Sequence, residues 1–215
     1  MTVKPYFQDD DVVIYHGDCR DILPTLGPVD LVLTDPPYNV GIEYGAGVDD
    51  KRKDYQDWCS LWFNDCRQIA PLIALTPGIV NLGIWAQIEA PSWCIAWLKP
   101  AAMGRTPFGF CNWEPVLVWG KAKKHDGVDV ITAAIIPDPN LDGHPCPKPL
   151  LWGKKLLALL TDASDVILDP FMGSGTTLRA AKDLGRKSVG IEIEERYCEI
   201  AARRMSQSVM ALGVH

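Results

Sequence analysis

Short continuous apolar runs, separated by charged or glycine-containing turns, set the texture of this chain. "DVVIYHGD" (11–18) and "VDLVLT" (29–34) have no alternation and predict strands buried on both faces, with "CRDILPTL" between them as a short helix or turn interrupted by Pro24. Strand, short helix and strand in succession favour a parallel sheet. The glycines and charges from Gly41 to Lys53 predict a mobile loop. "DYQDWCSLWFNDCRQIAPLI" then places apolar residues near 58, 61, 62, 66 and 69, the spacing of a helix laid against a sheet. "GIVNLGIW" and "PSWCIAWLK" read as strands, as does "NWEPVLVWGK" (112–121), whose end is exposed. Of the tryptophans in this middle region, 85, 93, 97, 113 and 119, most are expected in the core. Residues 120–143 mix charge, glycine and proline and read as an insertion. The last third is sharper: "ASDVILDP" is a strand, "GSGTT" a turn, and "TTLRAAKDLG" a helix closed by Gly185. "KSVGIEI" is a strand and "EERYCEIAARRMSQSVMAL" an amphipathic helix, making a second βαβ unit at the opposite end of the chain from the first.

Composition narrows the class. The 215 residues, 47% hydrophobic and 22% charged, suit one globular domain, 1–215, with a single core. No apolar run reaches the ~18–20 residues of a membrane span, and MTVKPYFQDDD has no signal-peptide pattern, so a cytoplasmic protein without membrane contact is expected. Seven cysteines, at 19, 59, 66, 94, 111, 146 and 198, form an odd set without a CxxC pair, which favours free thiols over disulfides or zinc. A net charge of −6 argues against a generic nucleic-acid binder. Lys51-Arg52-Lys53 and Lys121 to His125 are the local basic candidates, though clusters this short are equally well explained as solvated surface.

Two segments carry candidate chemistry. In "ILDPFMGSGTTLRAA" (167–181), Gly173 and Gly175 sit between a strand and a helix, where glycine admits a ligand close to the backbone and the first helical N–H groups favour an anionic group. Glu192 ends the next strand nineteen residues after Gly173, an offset at which an acid can accept hydrogen bonds from ribose hydroxyls. The lysine of a phosphate-cradling loop is missing, and Leu178 stands where the third glycine of a dinucleotide fingerprint would fall; a nucleoside cofactor is the reading that remains. The second segment is Asp35-Pro36-Pro37-Tyr38-Asn39, at the end of an apolar strand. Two consecutive prolines cannot donate to a ladder, so the strand stops there in a stiff corner carrying an acid and an aromatic ring.

Together these residues resemble the S-adenosylmethionine (SAM)-dependent amino-methyltransferases that modify DNA bases. "DPFMGSGTT" resembles their SAM motif and "TDPPY" their catalytic motif, with the catalytic motif first, as in the β-type circular permutation of the family. "HPCPKPLLWGKKLL" (144–157) is similar to the HPxxKP segment that helps seat the methionine end of SAM, with Cys146-Pro147 in place of the usual Thr-Gln. "YHGDCRDIL" is similar to the segment whose acid lies near the cofactor adenine. The resemblance covers nearly the whole chain and implies an α/β, Rossmann-like methyltransferase fold: a mostly parallel sheet with helices on both faces, circularly permuted. It implies that Asp35, Pro36, Pro37 and Tyr38 are catalytic. Cofactor contacts are implied for Asp18, Cys19, Asp35, Lys148, Asp169, Phe171, Gly173, Ser174, Gly175, Thr176 and Glu192, with Asn39 and Trp113 as candidate pocket walls. The glycine-turn strand and the Asp-Pro-Pro-Tyr strand must then be neighbours, with both motifs at carboxyl ends of strands.

The implied reaction is methyl transfer from SAM to an exocyclic amine of a base flipped out of double-stranded DNA. The amine lone pair is delocalised into the ring; the Asp35 carboxylate and the Pro36 carbonyl, accepting its two N–H groups, would restore electron density to the nitrogen. The prolines hold both acceptors in place, and the Tyr38 ring offers a stacking face. No metal is required. In the family, Asp at the first motif position accompanies adenine-N6 targets more than cytosine-N4, so adenine is expected. Only 24 residues separate Trp119 from His144, so residues 120–143 are read as a reduced target-recognition segment. A homodimer is a further implied partner, with the helix around Trp58–Phe63 as interface or, equally, as core. The rival readings are a cytosine-N4 enzyme, an RNA or protein-glutamine methyltransferase, and a non-catalytic SAM-binding module.

Overall fold

A computed structural model describes residues 3–42, 50–100, 102, 104–123, 127–135 and 148–207. The strands in chain order are β1 (Phe7–Gln8), β2 (Val12–His16), β3 (Leu31–Thr34), β4 (Leu72–Leu75), β5 (Trp93–Leu98), β6 (Arg105–Thr106), β7 (Gly109–Phe110), β8 (Trp113–Trp119), β9 (Val130–Thr132), β10 (Val166–Asp169) and β11 (Lys187–Glu192). The helices are α1 (Cys19–Ile22), α2 (Tyr55–Ile69), α3 (Leu82–Ile88), α4 (Leu150–Leu160), α5 (Thr176–Asp183) and α6 (Glu195–Ser206).

Among the described residues, nine strands form one sheet in the order β1-β2-β11-β10-β3-β4-β8-β5-β9, and β6 and β7 form a separate hairpin. β2, β11, β10, β3 and β4 run parallel, while β8 returns antiparallel to both β4 and β5. The two ends of the chain interleave: β10 lies beside β3, with Ile167 opposite Leu31, and β11 lies beside β2. The permuted order therefore places the Asp-Pro-Pro-Tyr corner and the glycine turn side by side at the carboxyl edge of the sheet.

The central strands lack alternation because both faces are covered. Val32, Ile73, Leu75, Leu117 and Trp119 point into one core with α2 and α3, whereas Leu31, Leu33, Leu72, Ala74, Val116 and Val118 point into a second core with α4 and α5. A third cluster joins Val12 and Ile14 to Leu178, Cys198 and Met205 under α6. In the first core Trp62, Phe63, Trp85 and Trp119 pack edge-on or tilted, with centroids 4.9–6.2 Å apart. Such pairs add ~0.5–1.5 kcal/mol each beyond their buried area. Trp62 and Phe63 are fully buried, so this face of α2 is core and not an interface.

The structure differs from the sequence expectation in the middle of the chain. "GIVNLGIW" is not a strand: Ile79–Asn81 is a 3₁₀ turn that runs into α3. The strand is the preceding "LIAL", β4, which ends at Thr76-Pro77-Gly78. Its pattern was hidden because "APLI" continues the apolar spacing of α2, whereas Pro71 in fact separates helix from strand. The helix α4 and the edge strand β1 are likewise additional, and the described part of 120–143 contributes β9, which pairs parallel with β5. Trp93 and Trp113 are exposed, unlike Trp85, Trp97 and Trp119. The described cysteines are free thiols, and Cys146 lies outside the described residues. Among the described residues no helix is long and apolar enough to cross a membrane.

Candidate functional site

At the carboxyl ends of β2, β3, β10 and β11 a cavity opens, lined among others by Asp18, Cys19, Asp35, Pro37, Lys148, Asp169, Phe171, Gly173, Ser174, Thr176 and Glu192. Residues from both ends of the sequence thus face one space. Asn39 lines it as well, whereas Trp113 does not.

The Asp35 corner is held from several sides. The Tyr38 hydroxyl donates to Asp35 Oδ1 at 2.6 Å, and the Thr76 hydroxyl donates to the same oxygen. Lys148 Nζ lies 2.7 Å from Asp35 Oδ2 and donates to the Tyr38 hydroxyl oxygen at 3.1 Å. That ammonium also sits 5.2 Å from the Tyr38 ring centroid and 5.8 Å from that of Trp97. Burial, with the negative charges of Asp35 and Glu114, pushes the Tyr38 phenol well above its usual pKa, so it stays a donor. The Pro37 carbonyl accepts from the Tyr55 hydroxyl at 2.7 Å and the Tyr38 carbonyl from the Asn81 amide at 2.9 Å. Among the described residues no donor reaches the Pro36 carbonyl. Gly78 closes the arrangement: its φ is +66°, and a Cβ there would lie 2.8 Å from the Tyr38 ring. Only glycine meets both demands.

The chain leaves this corner through Asn39, in the left-handed region at φ 59°. Asp50, buried, accepts from the backbone N–H groups of Asn39, Val40, Gly41 and Ile42 at 2.7–3.0 Å. The loop expected to be mobile is therefore tied at its described ends; residues 43–49 lie outside the described residues.

On the other side of the cavity, Asp169 ends β10 fully enclosed, accepting from Thr34 Oγ1 at 2.7 Å and Phe171 N at 3.1 Å. Desolvation raises its carboxyl to about 6. Gly173 (φ 51°) and Gly175 (φ 80°) make the turn into α5, left-handed positions that favour glycine. Gly175 does not face the cavity; a Cβ there would meet Ala201 Cβ at 3.0 Å, so its role is the turn and the close packing of α6. Glu192 ends β11 and is also buried, with Oε2 accepting from Gly173 N at 2.9 Å and Oε1 from Glu194 N at 2.8 Å. Burial pushes this carboxyl up to about 7. Asp18 caps α1 and pairs with Arg20 at 2.6 Å, which holds it below the usual carboxylate range; burial pushes the neighbouring Cys19 thiol up. Phe171 packs on Trp58 and Trp62, at 5.5 and 4.9 Å.

A nucleoside bearing a sulfonium and an amino acid tail fits this donor set. Each Glu192 oxygen uses one lone pair on a backbone N–H and keeps another, so a ribose diol finds two acceptors. Five carboxylates (Asp18, Asp35, Asp50, Asp169 and Glu192) against three cations (Arg20, Arg52 and Lys148) line the cavity, a balance that favours a cationic ligand. Phe171, Met172, Ile193 and Trp58 supply apolar surface for a base.

The family model described as DNA methylase, for the N6 and N4 enzymes, matches residues 92–203, more than half of the chain. The chain belongs to the N6/N4 DNA methylase family. The Type II methyltransferase M.ScaI of Streptomyces caespitosus is 27% identical to it, over 97% of this chain and 86% of that protein. Among solved structures, the M1.HpyAVI–SAM complex is 26% identical with a TM-score of 0.69, covering 91% of this chain and 100% of that one. The cytosine-N4-specific PvuII DNA methyltransferase shares the fold at 18% identity and a TM-score of 0.76, covering 97% and 91%. The Rossmann-like methyltransferase fold is thus established, and SAM is the cofactor of this methylase.

Some residues of the site had no motif to announce them. Thr76, Gly78 and Asn81 hold the Asp35 corner from the adjacent strand end; the signal was the Thr-Pro-Gly after "LIAL", a turn at the same height as Thr-Asp-Pro-Pro. Asp50 is a lone acid in a charged loop, with no sequence signal for its anchoring role. The His144 to Pro147 part of the HPxxKP-like segment lies outside the described residues.

Proposed function

We propose that this methylase transfers the methyl group of SAM to the exocyclic N6 of an adenine flipped out of double-stranded DNA. The observation that carries the reading is the convergence of the Asp35 corner and the Gly173–Glu192 site on one cavity, from strands that are neighbours in space and distant in sequence. Glu192, Asp18 and the turn at Gly173 and Ser174 would hold the nucleoside part, and Asp169 would face the cationic end. SAM, when bound, supplies an activated sulfonium methyl, so neither a metal nor a covalent enzyme adduct is needed.

The chain's own residues act on the amine. Asp35 Oδ2 and the Pro36 carbonyl accept its two N–H groups, concentrate the lone pair on nitrogen and aim it into the cavity. As the amine nitrogen takes the methyl group, the N–C bond forms while the methyl's C–S bond breaks to leave a neutral thioether, and the nitrogen gives up one proton, for which the Asp35 carboxylate is the adjacent acceptor. Tyr38, Thr76 and Lys148 fix that carboxylate, so its orientation is settled before the base arrives. Asp at position 35 supports adenine over cytosine, and the described flank of the reduced recognition segment, β9, stands at the sheet edge. The test is Asp35→Ala: it is expected to retain SAM binding in calorimetry and to transfer no methyl to DNA. Full activity in this variant would overturn the mechanism.

A further inference from the structure

The β5–β8 ladder does not stop at the edge of the sheet. Leu98 pairs with Trp113, Lys99 N donates to the Asn112 carbonyl at 2.7 Å, Cys111 N donates to the Gly104 carbonyl at 2.7 Å, and Arg105 pairs with Phe110. The β6–β7 hairpin is therefore a finger that continues β5 and β8 beyond their ends. It leaves on the cavity's side: Trp113 starts β8, which runs antiparallel to β4, so the finger springs from the edge where β4 ends at Leu75, beside Thr76. Glu114, at its root, pairs with Lys99 Nζ at 2.5 Å, and its negative charge adds to the burial and the Asp35 charge that raise the Tyr38 phenol.

No acid occurs between Lys99 and Asn112, in a protein of net charge −6. Arg105 stacks on the Phe110 ring at 4.4 Å, and among the described residues no carboxylate pairs with it. The tip is Pro107-Phe108, a two-residue turn closed by the Thr106–Gly109 pair, with Phe108 N donating to Thr106 Oγ1 at 3.2 Å. Pro107 fixes φ, so the tip is stiff. Phe108 is 96% exposed and has no packing role in the fold. Glu114 lies six positions after Phe108; at ~3.3 Å per residue the ring stands up to roughly 20 Å beyond the level of the Asp35 corner, enough to cross a DNA groove ~8.5 Å deep.

We infer that this finger engages the DNA duplex, with Phe108 entering the base stack beside the target and Arg105 on a backbone phosphate. A flipped base leaves a gap, and a stiff exposed ring on a hairpin that also carries a cation is the chemistry that fills one. The inference rests on the proposed DNA substrate and adds residues 105–110 to the duplex contact expected of residues 120–143.

The experiment is single-turnover methyl transfer from labelled SAM to unmethylated duplex DNA by the full chain, its Phe108→Ala, Phe108→Trp and Arg105→Ala variants, with SAM affinity measured for each. Phe108→Ala is expected to transfer roughly 5- to 150-fold more slowly, the worth of one base–aromatic stack, with SAM affinity unchanged and Phe108→Trp restoring the rate. Arg105→Ala is expected to weaken duplex binding and lower the log–log salt slope by about one. Phe108→Ala at the wild-type rate overturns the inference, and so does a loss of rate that accompanies conversion of a dimer to monomer, which would make the finger a contact between copies. A wild-type chain that methylates no DNA overturns the proposed function as well.

Discussion

Replacing Lys148 by methionine separates two roles for the residue. The resemblance to the HPxxKP segment implies a seat for the methionine end of SAM, whereas the geometry places Nζ 2.7 Å from Asp35 Oδ2 and 3.1 Å from the Tyr38 hydroxyl. Methionine keeps the apolar stem beside Trp97 and removes the charge. The side chains of Lys148 and Asp35 are 14% and 26% exposed, so the pair is largely screened from water. A hydrogen bond to a charged group contributes ~1.5–3 kcal/mol, and losing that much orientation at the acceptor slows transfer by roughly 10- to 150-fold. The assay is kcat on DNA at saturating SAM beside calorimetric SAM affinity. The expected result is a fall in kcat within that range, SAM affinity changed by less than about threefold, and partial rescue by Lys148→Arg. A saturating rate that stays intact while SAM affinity falls by a comparable factor would show a cofactor seat and refute the positioning role.

Other outcomes follow from the buried acids and the glycine under Tyr38. Burial raises Glu192 to about 7, so between its unfolded value near 4.5 and about 7 the folded chain holds a proton that the unfolded chain releases. Stability therefore falls as pH rises through that window, and Glu192→Gln should flatten this slope in urea unfolding at pH 5.5 and 8; an unchanged slope contradicts the assignment. Ribose hydroxyls donate to the charged form, so SAM should bind more tightly as pH rises through about 7, and the trend should vanish in the same variant. Gly78→Ala must adopt a left-handed φ and push Tyr38 aside. A stability loss of about 1–2 kcal/mol with a larger loss of transfer is expected from thermal unfolding and kcat, and full activity would contradict the packing.

What was legible in the sequence followed from pattern and spacing. The strands β2, β3, β10 and β11 are short, apolar at their centres and lead into Gly-Asp, Asp-Pro or Glu, and these ends carry the site. Their adjacency could be argued only through the cofactor, because spatial order leaves no trace in local periodicity. The middle failed where local patterns overlap: Ile79 to Trp85 has enough apolar residues for either period, and Pro71 was the sole mark between α2 and β4. The supporting residues were silent for another reason. Thr76, Asn81 and Asp50 act by reaching across to another loop, and a single polar residue at a turn looks the same whether it caps its own segment or holds a catalytic one. Gly175 showed the converse: a motif position whose work is helix packing.

The claim that unites the fold, the cavity and the Asp35 corner is the identity of the methylated atom. The chain should be incubated with labelled SAM and unmethylated duplex DNA, which is then digested to nucleosides and resolved by chromatography with mass detection. The account predicts label in N6-methyladenine. Label in N4-methylcytosine, or in no nucleoside at all from an enzyme that binds SAM, would contradict it.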